Sequence, residues 1–135
     1  MRPQVIAEFI AGFGRAVEVC CGYYSGVARI LNEMGLLLCV CDRNGDVRRS
    51  FAGIRFLVCD VENPGEELIE FCRKADVIYS IRPPPELWDA IFSLAEMTGC
   101  ACVIRPMSCE FVQNSVVYRG EAFAVRDFRR KRNQI

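Results

Sequence analysis

The sequence predicts an α/β protein built on a doubly wound parallel sheet, with helices on both faces in three α/β/α layers. Short apolar segments alternate with segments of helical periodicity through five predicted strands, as a parallel sheet with crossover helices requires. A glycine-containing turn follows the first of these strands, at residues 20–26. After the fifth strand, two strands flank Arg119-Gly120-Glu121, which predicts a C-terminal antiparallel hairpin.

The first half of the chain contains two helices and two strands. Apolar residues recur at helical spacing over residues 3–13, with Pro3 suited to the first turn. A second helix begins after Ser25, a predicted cap, and ends at Gly35. The predicted strands on either side of it are Ala16 to Cys20 and Leu36 to Cys41.

The second half continues the alternation after a short connection. Residues 43–53 contain Asn44-Gly45, a turn signal, and leave room for a single helical turn at most. Asn63-Pro64 with Glu66 predicts an N-cap and a helix to Lys74. The remaining predicted elements are strands Ile54 to Cys59, Asp76 to Ile81 and Cys100 to Ile104, a helix that follows Pro83-Pro84-Pro85 and reaches Gly99, and hairpin strands Ser115 to Tyr118 and Ala122 to Phe128.

Length and charge bound the organisation of the protein. The 135 residues suffice for one domain, which we place at 1–128, followed by a basic tail at 129–135. Seventeen basic and seventeen acidic residues cancel, so nucleic acid is an unfavoured partner. The N-terminus lacks the features of a signal peptide, and no apolar run is long enough to cross a membrane. We therefore expect a cytoplasmic protein.

The nine cysteines predict packed thiols rather than a metal site. Cys39 and Cys41 lie two apart in one apolar run, as do Cys100 and Cys102 in another, so each pair points to one face of a strand. The sequence has no Cys-x-x-Cys and no histidine, so the usual zinc spacings are absent. We expect no metal ligands.

The order strand, glycine turn, helix, strand and acid is typical of a nucleotide-cofactor site. The turn brings Cys20, Gly22 and Tyr23 to the carboxyl end of the first strand, where the next helix offers free N–H groups. Asp42 ends the second strand, and its carboxylate can accept hydrogen bonds from both hydroxyls of a ribose.

These motifs resemble the class I S-adenosylmethionine-dependent methyltransferase fold, a Rossmann-type sheet with strand order 3-2-1-4-5. The resemblance covers about residues 14 to 106 and includes an acid on the first strand and acids after the second and third. It implies S-adenosylmethionine as cofactor. The implied cofactor-binding residues are Glu18, Cys20, Gly22, Tyr23, Asp42, Asp60 and Val61.

A narrower resemblance rests on three further motifs. These are Asp76-Val77-Ile78-Tyr79-Ser80-Ile81-Arg82-Pro83-Pro84-Pro85-Glu86-Leu87, a second Ile104-Arg105-Pro106, and the Tyr118-Arg119-Gly120 hairpin. Together they look like the small archaeal protein family 0146, which implies a truncated methyltransferase-like fold.

The glycine turn departs from the superfamily pattern at two positions. Glycines would fall at Cys20, Gly22 and Tyr24, and only Gly22 is retained. We expect Cys20 to impose an ordinary backbone conformation. Tyr24 either blocks the pocket or stacks on a ligand. Cys20 and Cys21 are either reactive thiols at a helix N-terminus or packing residues.

The repeated Ile-Arg-Pro motif predicts a substrate site. Strands four and five are neighbours in the order 3-2-1-4-5, so Arg82 and Arg105 should leave the same sheet edge. Two guanidinium groups there suit a phosphate or carboxylate, with Ser80 beside them. The alternative is that each arginine pairs with a local acid, Glu86 or Glu110.

Two functional hypotheses follow. The first is a methyltransferase-like domain that methylates a small anionic molecule, with Ser80, Arg82 and Arg105 facing the acceptor and a second subunit helping to complete the site. The second is a non-catalytic module that binds a nucleotide or a protein, which Cys20 and Tyr24 favour. RNA contact through Arg129 to Arg132 is a third possibility.

Overall fold

The computed structural model of the protein describes residues 1–107 and 114–132, with side chains to residue 130. Within these residues seven strands form one mixed sheet in the order β3-β2-β1-β4-β5-β7-β6. The strands are β1 (Ala16–Glu18), β2 (Leu37–Asp42), β3 (Phe56–Val58), β4 (Val77–Ile81), β5 (Ala101–Arg105), β6 (Val116–Tyr118) and β7 (Glu121–Asp127). The first five strands pair in parallel, and β6 and β7 form the antiparallel hairpin beside β5. The predicted fold class and strand order are confirmed.

The helices cover both faces of the sheet. They are α1 (Pro3–Ala11), α2 (Gly26–Glu33), α3 (Glu66–Lys74), α4 (Trp88–Thr98) and the short α5 (Arg129–Arg132). On one face, α1 and α2 pack on Tyr79, Val103 and Phe123. On the other face, α3 and α4 pack on Val17 and Ile78. Because successive strand residues point to opposite faces, the neighbours Ile78 and Tyr79 belong to different layers of the core.

The paired cysteines lie where their spacing predicts. Cys39, Cys41, Cys100 and Cys102 are all buried in the core layer beneath α3 and α4. A thiol is a small, polarizable side chain, so it fills the narrow space between a strand and a helix.

Two local predictions were wrong. The connection after β2 is a 3-10 helix of seven residues, Gly45–Phe51, which is longer than a single turn. Asn44 begins it by accepting a hydrogen bond from the Asp46 N–H. The N-cap of α3 is Gly65 rather than Asn63. Asn63 instead donates its backbone N–H to the Asp60 carbonyl and closes a turn before the helix.

The start of the basic tail is attached to the rest of the protein. Arg129 pairs with Asp127 at 2.7 Å between Nη2 and Oδ2. Its guanidinium carbon also lies 5.1 Å from the centroid of the Phe13 ring. Residues 133–135 of the predicted tail lie outside the described residues. In the described part of the chain, no helix combines the length and apolar character that crossing a bilayer demands.

Glu121 joins the C-terminal hairpin to the parallel sheet. Its side chain is 6% exposed and accepts hydrogen bonds from the Arg105 guanidinium at 3.1 Å and the Arg2 backbone N–H at 2.7 Å. Burial by itself would raise the pKa of Glu121, but these two donors more than offset it, so the pKa is lowered. The carboxylate therefore stays ionised and holds β7 against β5 and the N-terminus.

Glu121→Ala is expected to lower the free energy of unfolding by about 3 kcal/mol at pH 7, because it leaves the Arg105 guanidinium buried without its partner. Denaturant unfolding of the variant and wild type measures the difference, with the exposed Glu86→Ala as control. The contribution should be present above the ordinary glutamate pKa of 4.5 and be lost as the pH falls below it. Equal losses in Glu121→Ala and Glu86→Ala would contradict this account.

Candidate functional site

A cavity of about 670 Å³ opens at the carboxyl edge of the parallel strands. Its wall is formed by residues 20–24, 42–43, 59–61 and 81–82, together with Pro84, Leu87 and Met107. The connections from β1 and β4 leave in opposite directions here, since β1 leads toward β2 and β4 leads toward β5. This divergence opens a crevice at the topological switch point, which is where doubly wound sheets bind ligands.

Three hydrogen bonds hold the turn after β1. The Val19 N–H donates to the Tyr79 carbonyl at 2.9 Å, which ties the turn to β4. The Cys21 N–H donates to the Cys41 carbonyl at 3.1 Å, and the Gly22 N–H donates to Oδ2 of Asp42 at 2.9 Å. The turn is therefore fastened to both neighbouring strands and forms a rigid cavity wall.

Cys20 adopts a left-handed backbone, with φ of 52°. The expectation that a side chain here imposes an ordinary conformation was wrong. The hydrogen bonds at Val19 and Cys21 fix the backbone on either side of Cys20, and they outweigh the cost of about 1–2 kcal/mol for an L residue in this region. The turn thus has the left-handed backbone conformation that glycine favours, although a cysteine occupies the position.

Gly22 also has a left-handed backbone, with φ of 55°. A Cβ built on Gly22 would meet no atom of the described residues within 4 Å. The residue leaves its backbone open to an incoming group.

Asp42 is held rigidly at the cavity wall. Its Oδ2 accepts the Gly22 N–H, and its Oδ1 accepts the Asn44 N–H at 2.9 Å. Each carboxylate oxygen accepts one bond and can accept another, so the group is oriented without being saturated.

Asp60 and Val61 line the cavity beside Asp42. Oδ1 of Asp60 accepts the Glu62 N–H at 2.9 Å, which fixes that carboxylate too. Val61 is buried and offers an apolar surface. This end of the cavity therefore combines two acids with one apolar side chain.

The two tyrosines of the turn occupy different positions. Tyr23 is 62% exposed, and its hydroxyl accepts a hydrogen bond from the Asn44 side chain at 3.4 Å. Tyr24 folds back over the start of α2, where a Cβ on Gly26 would come within 2.4 Å of its hydroxyl. Gly26 makes room for Tyr24 at the cavity wall, so the ring lines the cavity.

Glu18 lies beneath the turn and is fully buried. The Tyr79 hydroxyl donates to its Oε1 at 2.6 Å, while Oε2 has no hydrogen-bond partner in the described part of the chain. Burial raises the pKa of Glu18 to about 8, and nearby Asp42 adds to the effect. The structure does not bring Glu18 to the cavity wall, and its predicted contact with a cofactor stays a prediction.

The three residues predicted to face an acceptor have separate environments. Ser80 is fully buried, and its hydroxyl has no hydrogen-bond partner within residues 1–107 and 114–130. Arg105 pairs with Glu121 and is not part of the cavity wall. Arg82 lines the cavity. Of the suggested local acids, Glu86 forms no ion pair among the described residues, and Glu110 lies outside them.

Burial makes the thiols of the turn poor nucleophiles. It raises the pKa of Cys20 to about 12, with a further contribution from Asp42. It also raises the pKa of Cys21 well above its usual range. Because the thiolate is the reactive form, the packing interpretation of both cysteines is favoured over the reactive one.

The sequence analysis missed six residues of the cavity wall: Arg43, Cys59, Ile81, Pro84, Leu87 and Met107. All except Leu87 lie within three positions of the end of a parallel strand. Their position just after the carboxyl ends of the parallel strands could have identified most of them from the sequence, because connections that leave this edge line the same crevice.

Residues 2–128 match the model of a protein family described as Uncharacterised protein family (UPF0146). The chain belongs to this family. A UPF0146 protein of Archaeoglobus fulgidus is 36% identical over 121 residues, which covers 87% of this chain and 89% of that protein. The narrower resemblance predicted from the three sequence motifs is confirmed.

Solved structures with a similar fold include two methyltransferases. The plantazolicin methyltransferase BpumL, solved in complex with SAH, aligns with a TM-score of 0.52 and 14% identity, covering 76% of this chain and 44% of its own. The sugar N-methyltransferase KedS8 from Streptoalloteichus aligns with a TM-score of 0.52 and 12% identity, covering 86% of this chain and 56% of its own. The UPF0146 chain thus has a methyltransferase-like fold and spans about half the length of these enzymes.

Cys20→Gly is expected to be more stable than Cys20→Ala by about 1 kcal/mol, because glycine relieves the left-handed strain while alanine retains it. Both variants lose the same thiol, so their difference isolates the backbone. The measurement is the free energy of unfolding in denaturant. If Cys20→Ala were instead more stable than Cys20→Gly, the backbone at Cys20 would be shown to be unstrained.

Glu18 should make the unfolding free energy fall as the pH rises from 4.5 to about 8. The unfolded carboxyl ionises in this range while the buried one stays protonated. The slope from this group is at most about 1.4 kcal/mol per pH unit. Glu18→Gln should remove this pH dependence of the unfolding free energy. Glu62→Gln, at an exposed position, is the control and should retain it. An unchanged pH profile in Glu18→Gln would exclude the buried, protonated state.

Proposed function

We propose that this UPF0146 protein binds S-adenosylmethionine in the carboxyl-edge cavity and transfers the methyl group to a small anionic acceptor. The observation that carries the proposal is the Asp42 carboxylate, held at the cavity wall by the N–H groups of Gly22 and Asn44. A fixed carboxylate at the end of the second strand suits the two hydroxyls of a ribose. The methyltransferase-like fold and a structural neighbour solved with SAH support the same cofactor.

The cavity fits a nucleoside-bearing cofactor in size and in chemistry. Its volume of about 670 Å³ lies in the usual range for small-molecule sites. The open space at Gly22 allows a ligand to approach the backbone of the turn. Asp42 would hold the ribose, while Asp60 and Val61 would lie near the base. When bound, S-adenosylmethionine supplies a methyl group on a sulfonium centre that is also the leaving group.

The residues of the chain contribute mainly by positioning. The hydrogen-bonded turn after β1 and the anchored Asp42 fix one end of the site. Ile81, Leu87 and Met107 add apolar surface to the cavity wall. The sequence has no histidine, the commonest general base. Methyl transfer suits such a site, because the alignment of the two reactants supplies much of the rate.

A non-catalytic binding module on the same fold is the second candidate. Cys20 and Tyr24 stand where the superfamily pattern has glycines, and both line the cavity. The chain also aligns with only 44% and 56% of the two solved methyltransferases, so about half of each enzyme has no counterpart in this alignment. This candidate predicts ligand binding without methyl transfer.

Calorimetric titration with S-adenosylmethionine and SAH tests the cofactor. We expect a micromolar dissociation constant, roughly 7–8 kcal/mol of binding, with ATP and NAD as controls. Absence of heat at millimolar S-adenosylmethionine and SAH would reject the proposal. Binding of ATP or NAD instead would support the nucleotide-binding module.

Asp42→Ala should weaken SAH binding by about 10- to 100-fold, because charge-assisted hydrogen bonds to the ribose are lost. Glu62→Ala is the matched control, since it removes a nearby exposed acid that does not line the cavity. Asp42→Asn keeps an acceptor for one of the two backbone N–H groups. This variant therefore controls for disruption of the turn in Asp42→Ala. Equal affinity in wild type and both Asp42 variants would remove Asp42 from the site.

A further inference from the structure

The repeated Ile-Arg-Pro motif places two arginines at the ends of adjacent strands. Their side chains lie in different environments. Arg105 pairs with Ile81 in the sheet register, and Arg82 follows directly. The Arg105 side chain is 13% exposed and its guanidinium bonds the Glu121 carboxylate and the Pro106 carbonyl. Arg82 is exposed and lines the cavity. In the tertiary structure, Arg105 therefore forms an ion pair within the fold, and Arg82 lies at the cavity.

Arg82 has no acidic partner among residues 1–107 and 114–130. Its guanidinium carbon lies 5.6 Å from the centroid of the Tyr24 ring, a cation–π contact that orients the group without neutralising it. A guanidinium held over a ring keeps its N–H donors available for an oxyanion.

The backbone at Arg82 is strained. Its φ is 52°, in the left-handed region, and its N–H donates to the Arg105 carbonyl at 2.6 Å. Glycine would take this conformation without cost, whereas a long side chain does so at a cost in stability. Strain of this kind concentrates at functional sites, where the side chain has a role that the fold does not need.

The charges of the cavity are arranged by strand order. Asp42 ends β2 and Asp60 follows β3, while Arg82 follows β4. Since β1 lies between β2 and β4, the Arg82 end is roughly 10 Å from the end of β2 at the usual strand spacing. The other cavity arginine, Arg43, directly follows Asp42 and shares the acidic end. An anion is therefore best accommodated at the β4 end.

We infer that Arg82 binds the anionic group of the methyl acceptor, and that the acceptor is a carboxylate or phosphate on a small apolar body. This inference rests on the proposed function, because it takes the Asp42 end as the cofactor end. The apolar body follows from the surroundings of Arg82, where Tyr24, Ile81, Leu87 and Met107 line the cavity. Arg105 is a structural residue that holds Glu121.

The test is calorimetric binding of benzoate and phenyl phosphate to the full chain saturated with SAH, with benzamide as a neutral probe. The two anions separate a carboxylate preference from a phosphate preference. Arg82→Gln should weaken binding of the preferred anion at least tenfold, leave benzamide unchanged and leave SAH affinity unchanged. Arg73→Gln, which removes an exposed charge from α3 away from the cavity, is the matched control and should bind as wild type.

A stability measurement supplies an independent check. Arg82→Gly should melt at a higher temperature than Arg82→Ala, since only glycine relieves the left-handed strain, and both should lose the anion equally. Weaker anion binding combined with a more stable glycine variant shows that the arginine serves the ligand rather than the fold. A glycine variant that melts below the alanine variant would remove strain as support and overturn that part of the inference.

The outcomes separate this inference from the proposed function. No SAH binding to wild type would reject the cofactor, whatever Arg82 does. SAH binding with no affinity for either anion, or with equal affinity in Arg82→Gln, would overturn the role of Arg82. A fall in SAH affinity in Arg82→Gln would assign the arginine to the cofactor's own carboxylate. Loss of the anion in Arg43→Gln, with Arg82→Gln unaffected, would move the anion site to the acidic end.

Discussion

The turn after β1 is the constraint on which the site depends. Its backbone is hydrogen-bonded to β4 through Val19 and to β2 through Cys21, and the Gly22 N–H is held by the Asp42 side chain. These bonds hold the turn at the point where the strand order reverses, so the turn forms one wall of the crevice there. Asp42 is oriented because the turn supplies one of its two N–H donors.

The same constraint explains the unusual backbone of the turn. A left-handed residue is needed at position 20, and the protein accepts a cysteine there. The hydrogen bonds made by the neighbouring Val19 and Cys21 stabilise a conformation that the residue alone would avoid. Glu18 at the end of β1 and Tyr79 on β4 form a buried hydrogen-bonded pair. The acid on the first strand is thus a component of the core.

Polar residues at the carboxyl edge of the sheet have two different roles: some stabilise the fold, and others line the cavity. Arg105 and Arg82 occur in identical local motifs, yet one lies beside Glu121 of the C-terminal hairpin and the other lies beside the cavity. The hairpin contributes to this difference, because β7 pairs with β5 and brings Glu121 beside Arg105. The hairpin therefore provides a partner for Arg105, while Arg82, one residue beyond the register partner of Arg105, lines the cavity.

The sequence by itself determined the order of the elements, the parallel sheet and the carboxyl-edge positions of Gly22, Asp42 and Asp60. These features follow from local periodicity and from turn residues, which act over a few positions. Only the tertiary structure decided the backbone of Cys20, the burial of Glu18 and the different environments of the two arginines. Each of these depends on contacts with residues distant in sequence: Cys41 for the turn, Tyr79 for Glu18 and Glu121 for Arg105. Local patterns place a side chain on an element, and long-range packing decides whether a partner or a cavity lies in front of it.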